Sequence, residues 1–351
     1  MKYPAVLSFA DILPQLEEFD TIIDARSESE FALDHLPGAI NCPVLNDEER
    51  ILVGTTYKQV NAFEAKKIGA PLVARNIAHH IESLWKDKPR DWKPLVYCWR
   101  GGNRSGSLAH IMAKVGWPVI QLDGGYKAYR AHVNDALANP PGVQFRVVCG
   151  TTGSGKSRLL ETLEGIGAQV LDLERLAAHR GSVLGNLPGE PQPSQKMFES
   201  RIWAKLRHFD LSRPVFVESE SKKVGNLRVP DAVMERMRAS PCISLVLTRQ
   251  DRVRLLMEDY HHFVDDPKAL TDQLDHLVQL HGQAKIQAWH ELANRGLMPE
   301  LVDQLLVEHY DPAYLRSIDR NFVQFSQAEV VELADIAPDD FLKAARDLHA
   351  S

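Results

Sequence analysis

The sequence predicts an α/β protein: two doubly wound parallel-sheet domains in series, followed by a helical C-terminal extension. Three observations lead there. In the first third, the β-rich runs TIIDAR (residues 21–26), PLVYC (94–98) and WPVIQLDGG (117–125) alternate with helix-like stretches such as 63–85, the pattern of a parallel sheet with helices on both faces. NPPG at 139–142 then interrupts it, because two prolines and a glycine do not continue a helix and read as a linker. Beyond the linker a second alternation starts, with VQFRVVCG (143–150), AQVLDLE (168–174), PVFVESE (214–220), CISLVLT (242–248) and LVEHYDP (306–312) as its strands, again a doubly wound sheet. The expected boundaries are 1–138 for the first domain, 139–142 for the linker, 143–318 for the second domain and 319–351 for the extension.

Bulk properties narrow the function classes. A chain of 351 residues suffices for two or three domains, each able to bury its own core. A net charge of −6 argues against nonspecific coating of nucleic acid, so any RNA contact must be a local patch. The N-terminal text MKYPAVLSFADILPQ lacks the basic-then-apolar secretory pattern, and no apolar run nears the roughly 20 residues that span a bilayer; a cytoplasmic protein is expected. Cys42, Cys98, Cys149 and Cys242 are scattered, and the pairs His79-His80 and His261-His262 have no partners at ligand spacing. Neither a disulfide framework nor a zinc site is indicated, and Cys42, Cys149 and Cys242 read as small apolar core residues.

Cys98 is different. In YCWRGGNRS (97–105) it follows a strand and precedes a helix-like segment, and with Arg104 it fits C-x5-R-[ST]. Cysteine-dependent phosphatases use this spacing to surround a phosphate with backbone N–H groups and a guanidinium while the thiolate attacks. Sulfurtransferases build nearly the same cradle for a thiolate that carries sulfur or selenium. In either chemistry a helix N-terminus and a guanidinium stabilise the thiolate; here the helix after Ser105 and the side chains of Arg100 and Arg104 are the candidates.

A second motif, GTTGSGKS at 150–157, satisfies G-x-x-x-x-G-K-[ST] between an apolar strand and a helix. Gly150, Gly153, Ser154, Gly155, Lys156 and Ser157 are the candidate phosphate-binding residues: glycines turn N–H groups onto phosphate oxygens, the lysine neutralises them, and the serine hydroxyl can reach them through Mg²⁺. Glu218 and Glu220 end a strand, and Asp172 opens DLERLAAHRGSVLG (172–185); these three are candidate metal or substrate ligands, with a solvated strand end as the alternative. Arg249 and Arg252 follow another strand and either converge on a polyphosphate or line an exposed helix face. There is no N-K-x-D or T-K-x-D segment to read guanine, so ATP, GTP or another diphosphate stays open.

Further segments favour one chemistry for Cys98. IIDARSESEFALDHLPGAINCPV (22–44), with D-x-R, E-F and H-L-P-G-A-I-N in order, resembles the first rhodanese signature, and VIQLDGGYKAYR (119–130) resembles the closing rhodanese element. Phosphatases of the same fold usually place a histidine before the cysteine, where this chain has Tyr97. A rhodanese-like domain joined to a P-loop NTPase-like domain carrying DLERLAAHRGSVLG, VESESKKVGN (217–226) and HYDPAY (309–314) resembles the tRNA 2-selenouridine synthases over about residues 5–318.

That resemblance implies a selenotransferase that uses selenophosphate to replace sulfur by selenium in wobble 2-thiouridine of tRNA. It also implies geranyltransferase activity, with geranyl diphosphate giving an S-geranyl intermediate whose alkylated sulfur is a better leaving group. It further implies tRNA as partner, with the selenophosphate-producing enzyme a candidate second one. For the RNA, Lys222, Lys223, Arg228, Arg249, Arg252 and Arg254 form a candidate basic stripe, and Trp99 is a candidate stacking residue. The rival expectations are a rhodanese fused to an ATP-dependent small-molecule kinase, a cysteine-dependent phosphatase, and a phosphate-binding module without turnover.

Overall fold

The computed structural model describes residues 3–181, 185, 189–261, 263 and 266–350; part of the 172–185 segment, namely 182–184, and His262 lie outside the described residues. The chain divides into two compact units, Met1–Leu137 with Pro193–Ala204, and Ala138–Gln192 with Lys205–Ser351.

The first unit carries a five-stranded sheet of β1 (Ala5–Leu7), β2 (Thr21–Asp24), β3 (Ala39–Asn41), β4 (Pro94–Tyr97) and β5 (Ile120–Leu122), ordered β1-β5-β4-β2-β3. All neighbours are parallel. β4 and β5 are buried along their whole length, as expected of strands covered on both faces. One side of the core packs Ile23, Val96, Leu108, Met112, Trp85, Trp92 and Trp117, with Trp92 edge-on to Trp117 at 5.2 Å between centroids. A helical hairpin, Asp47–Gln59 and Ala62–His80, connects β3 to β4. Asn46 and Asn61 set its two starts by accepting from the Glu49 and Glu64 N–H groups, the work of N-cap side chains.

Residues 193–204 belong to this unit although they come from the second half of the sequence. The reason is an apolar face: Phe198, Ile202 and Trp203 are buried, Trp203 meets Tyr129 edge-on at 5.5 Å, and Glu199 pairs with Arg130.

The second unit carries another parallel sheet: β6 (Phe145–Cys149), β7 (Gln169–Leu171), β8 (Val215–Glu218), β11 (Cys242–Val246) and β12 (Glu329–Glu332), ordered β12-β11-β6-β8-β7. A small hairpin, β9 (Lys223–Val224) and β10 (Leu227–Arg228), stands apart from it. The extension supplies more than helix. β12 pairs with β11, and the helix Pro338–Ala350 buries Phe341, Ala344, Ala345 and Leu348 in the same core as Leu159, Leu160 and Leu163 of the helix Lys156–Gly165.

One expected strand is not a strand. Residues 306–312 are helical, in a wide turn Leu306–Tyr310 leading into the helix Asp311–Asn321. The apolar residues Met298, Leu301 and Leu305 pack at helical spacing around Trp289, and Pro312 falls in the first turn of its helix, where a missing N–H costs nothing.

In both sheets the strand order reverses at a central strand, β4 in the first and β6 in the second. Crevices form outside the carboxyl ends at such switch points. Cys98 directly follows β4 and Gly150 directly follows β6.

Candidate functional sites

The cysteine loop runs from Cys98 to Gly102 and feeds the helix Asn103–Val115. Cys98 is 3 % exposed, and the Ser105 hydroxyl donates to its Sγ at 3.2 Å. Gln121 fixes the arrangement, its Nε2 donating to the Gly101 carbonyl at 2.5 Å and to Ser105 Oγ at 3.3 Å. The closing element holds the loop from the other side: Tyr126 N–H donates to the Cys98 carbonyl at 2.8 Å and Lys127 N–H to that of Trp99 at 3.1 Å. A Cβ on Gly125 would fall 2.2 Å from the Cys98 carbonyl oxygen, and one on Gly101 would fall 2.5 Å from that of Leu122. The two glycine pairs of the sequence, 101–102 and 124–125, therefore bring two backbones into direct apposition.

The side chains expected around the thiol are arranged unequally. Arg100 is exposed and lines a cleft that ends at Cys98. Arg104 lines the same cleft, but its guanidinium is paired with Glu30 at 2.7 Å, and Glu30 also takes Arg50 at 2.9 Å. These arginines hold the Glu30 carboxyl below its usual range against the opposing effect of burial. Trp99 stacks on Tyr126 of its own unit, with centroids 5.3 Å apart. The D-x-R pair is structural: Arg26 is 1 % exposed, bonds Asp24 at 2.6 Å and the Asp34 carbonyl at 2.6 Å, and lies 4.0 Å over the Tyr126 ring.

The cleft beside Cys98 has a volume of about 1680 Å³. Its walls are the helical hairpin and the helix Asn103–Val115.

In the second unit the loop after β6 curls over the start of the helix Lys156–Gly165. Lys156 Nζ donates to the Gly150 carbonyl at 2.7 Å, and burial pulls its pKa down against the attraction of Glu174 and Glu220. Ser157 Oγ donates to Glu174 Oε2 at 3.0 Å, and the Glu174 N–H donates to Glu218 Oε1 at 2.8 Å. Glu218 Oε2 is buried without a hydrogen-bond partner among the described residues, as is Ser154 Oγ, while the Ser154 N–H donates to the Thr151 carbonyl at 3.1 Å. Burial raises Glu218, Glu174 and Asp172, and carries Glu220 to about 8 with help from the Glu174 charge.

Later segments shape this loop. A Cβ on Gly155 would lie 2.6 Å from the Phe341 ring, so the C-terminal helix packs directly on it. The Tyr314 hydroxyl accepts from the Gly150 N–H at 2.6 Å and contacts Ser219 Oγ at 3.1 Å, and its ring centre is 5.5 Å from Lys156 Nζ. Arg252 is directed to the loop backbone rather than outward: it is 6 % exposed, donates to the Thr152 carbonyl at 2.8 Å and pairs with Asp311 at 2.5 Å. Arg249 pairs with Asp303 at 2.9 Å. The basic stripe is correspondingly broken, since Lys222 faces Asp231 and Arg254 faces Asp251 and Asp335.

Among the described residues no group of three or more His, Cys, Asp or Glu is placed as a metal-ligand set. The oxygen donors at the P-loop still suit Mg²⁺, which binds through one or two protein oxygens together with substrate phosphates and water; Ser157 and the partnerless oxygen of Glu218 are of that kind. No helix of the described residues is long and apolar enough to cross a membrane.

Sequence reasoning missed Glu30, Ser105, Gln121, Glu174 and Tyr314. Glu30 stands in the E-F step of the first signature, Glu174 lies two residues after Asp172, and Tyr314 ends HYDPAY; each was inside a segment already singled out. Ser105 is the [ST] of the C-x5-R-[ST] spacing, which does not tell that its hydroxyl reaches Cys98; Gln121 carries no signal of its own, because its contacts depend on how β5 lies beside the loop.

Fold and geometry define a rhodanese domain and a P-loop domain carried on one chain. Residues 9–132 match the rhodanese-like domain family and residues 143–276 match the tRNA 2-selenouridine synthase AAA domain family. Proteins named tRNA 2-selenouridine synthase are similar in sequence. The one from Nitrosomonas europaea is 38 % identical over 68 % of this chain and 63 % of its own length, and that from Marinobacter nauticus 36 % identical over 68 % and 65 %. The match thus spans just under two thirds of these two relatives. The one from Alcanivorax borkumensis is 31 % identical over 88 % of this chain and 93 % of its own. The chain belongs to the tRNA 2-selenouridine synthase family.

Proposed function

We propose that this protein replaces sulfur by selenium in the wobble 2-thiouridine of tRNA, with selenophosphate as selenium donor and an S-geranyl-2-thiouridine intermediate. The observation that carries the reading is the buried Cys98 thiol, gripped by Ser105 at a sheet switch point in a chain that also carries a P-loop. The relatives' shared name supplies the RNA and the element.

In this reading the first step belongs to the P-loop unit. The thiocarbonyl sulfur attacks the first carbon of geranyl diphosphate, the C–O bond breaks, and diphosphate departs while the ring nitrogen gives up its proton. Lys156 and the backbone N–H groups of Gly153, Gly155, Lys156 and Ser157 hold the departing phosphates, as such loops do. Mg²⁺, held by Ser157 with Glu218 behind it, would add neutralising charge there.

The second step belongs to the cysteine loop. The Cys98 thiolate attacks the phosphorus of selenophosphate, and an S–P bond forms as the P–Se bond breaks. Selenium leaves with the donor's proton as hydrogen selenide ion, and water then displaces the thiolate from phosphorus to give phosphate. Selenium bonds to C2 of the base, its proton passes to the ring nitrogen, and the C2–S bond breaks. The departing geranyl thiolate takes a proton from water. Cys98 is the proposed catalytic thiol, Arg100 and Arg104 the proposed phosphate ligands, and Glu220 and Arg252 act by shaping the P-loop, through Lys156 and the Thr152 carbonyl; Asp172, which caps its own helix, and Arg249, which pairs with Asp303, are given no part in the chemistry.

The test is mass analysis of nucleosides from thiolated tRNA incubated with the full-length protein and each donor, singly and together. Selenium product is expected with both donors and is lost in Cys98→Ser; geranyl adduct is expected with geranyl diphosphate alone and falls at least tenfold in Lys156→Ala. Thiouridine returned unchanged under all conditions would sink the tRNA reading, and ATP turnover without tRNA would put a kinase in its place.

A further inference from the structure

Gln121 is a buried amide, 7 % exposed, in the middle of β5, which reads IQL and is buried along its whole length. An apolar side chain would pack there without the cost of burying polar atoms, so the amide needs hydrogen bonds to offset that cost. It lies under the cysteine loop and the first turn of the helix that follows: a Cβ on Gly106 would meet only the Gln121 amide within 4 Å, at 3.7 Å.

The amide has one orientation. Its shortest contact, at 2.5 Å, is with the Gly101 carbonyl, which only accepts, so the amide nitrogen stands there and the amide oxygen cannot. The same nitrogen lies 3.3 Å from Ser105 Oγ and donates its second proton to it. Ser105 has a single proton of its own and two acceptors in reach, Cys98 Sγ at 3.2 Å and the Gly102 carbonyl at 3.5 Å. The Gly102 carbonyl already accepts from the Gly106 N–H at 2.9 Å, so the serine proton is left for sulfur. A thiol could also donate its own proton to Oγ, whereas a thiolate has none to give. An Oγ that already accepts from Gln121 therefore favours the thiolate.

We infer that Gln121 is a positioning residue for the chemistry of Cys98: held by the Gly101 carbonyl, its amide turns the Ser105 proton onto Cys98 Sγ and so stabilises the thiolate. The role of Cys98 itself rests on the function proposed above. There the thiolate enters as the nucleophile on phosphorus and returns as the leaving group, when water forms the new P–O bond, the S–P electron pair goes back to sulfur and a water proton passes to solvent. The serine proton stays on its oxygen throughout. Negative charge develops on sulfur as it departs, so a donor fixed at Sγ aids departure more than attack.

The experiment is a double-substitution cycle on the full-length protein: Gln121→Met, of similar length and without donors, Ser105→Ala, and both together. The readout is the rate of iodoacetamide alkylation from about pH 5 to pH 10, with the Cys98→Ser protein giving the background of the other cysteines. Gln121→Met is expected to move the profile to higher pH by about one unit, the tenfold effect of one weakened charge-assisted hydrogen bond, and to reach the wild-type rate at high pH. With Ser105→Ala already present, the same substitution should shift nothing further, because the amide acts through the hydroxyl. Arg100, Arg104 with its partner Glu30, and Glu82 and His110 of the adjoining cleft stay in place in every variant, so the difference reads the hydrogen bond. Gln121→Leu repeats the test if Gln121→Met does not fold. An unshifted profile overturns the inference. So does an equal shift with and without Ser105, or a rate lowered equally at every pH, which would report a displaced loop. Selenium incorporation into tRNA is scored separately. Selenium product together with an unshifted Gln121→Met profile removes the relay alone; a shifted profile in a protein that makes no selenium product keeps the relay and removes the proposed function.

Discussion

Replacing Gly125 by alanine tests whether the closing element sets the geometry of the cysteine loop. Gly125 has φ +56°, and a Cβ there would sit 2.2 Å from the Cys98 carbonyl oxygen and 2.5 Å from the Gly101 nitrogen. Both are backbone atoms, so no rotamer change relieves the clash. The left-handed conformation costs an alanine about 1–2 kcal/mol, and overpacking a tight site adds about 1–3 kcal/mol. If the Cys98 peptide moves away, the 2.8 Å bond from Tyr126 N–H is lost as well, for about 1 kcal/mol. The expected total is roughly 2–6 kcal/mol from these three contributions. Chemical denaturation of the first unit reads the loss, and the rate of iodoacetamide alkylation reads the loop itself, because a displaced loop uncovers a thiol now 3 % exposed. Gly142→Ala is the control: its Cβ would meet nothing within 4 Å, and a change of that kind should stay within about 0.5 kcal/mol. A Gly125→Ala protein with wild-type stability and wild-type alkylation would refute the claim that the two backbones constrain each other.

Two further outcomes concern the second unit. Phe341→Ala removes a side chain 2 % exposed that lies on Gly155; a loss of about 3–5 kcal/mol is expected from that unit's denaturation, with weaker binding of inorganic diphosphate by calorimetry, and intact diphosphate binding would show that the C-terminal helix supports the core only. Glu220 has a carboxyl raised from 4.5 to about 8, so between those values the folded state keeps a proton that the unfolded state has released. Its contribution is therefore most favourable below pH 4.5 and is lost as pH rises toward 8, by at most about 5 kcal/mol at 1.36 kcal/mol per pH unit. Glu220→Gln should flatten the decline measured by denaturation across pH 5–9, and an unchanged pH profile would count against a buried, protonated Glu220.

The legible parts of the sequence were those whose signal is local. β2, β4, β6, β8 and β11 are runs of apolar residues that need no partner to be recognised, and both loops announce themselves by spacing. β12 was hidden because EVVE places two carboxylates around two valines and takes its strand identity from pairing with β11. LVEHYDP misled for the complementary reason: its apolar start suits a strand or a helix, and the choice is made by Trp289 and the helices around it. The arginines show the same limit. Arg104 belongs to the cysteine motif by its spacing and Arg252 only follows a strand, and neither spacing reveals the partners, Glu30 and Asp311, which lie 74 and 59 residues away.

Both loops share a construction that neither motif states. Each is a short glycine-bearing turn at the carboxyl end of a central strand, and each is finished by backbone or side chains that arrive later in the chain: Gly125 and Tyr126 at Cys98, Tyr314 and Phe341 at the P-loop. A turn that must leave N–H groups open for an anion can spend few of them in its own hydrogen bonds, as the P-loop does with Ser154 N–H on the Thr151 carbonyl, so most of its shape must be enforced from outside. At the cysteine loop the enforcement spends carbonyls, with Tyr126 and Lys127 donating to Cys98 and Trp99 and Gln121 donating to Gly101. At the P-loop Lys156 and Arg252 likewise donate to the carbonyls of Gly150 and Thr152. Bonds taken at carbonyls consume no loop N–H, and at the P-loop the N–H groups that are consumed are those of Gly150, by Tyr314, and Ser154, by Thr151, which leaves the other donors for an anion.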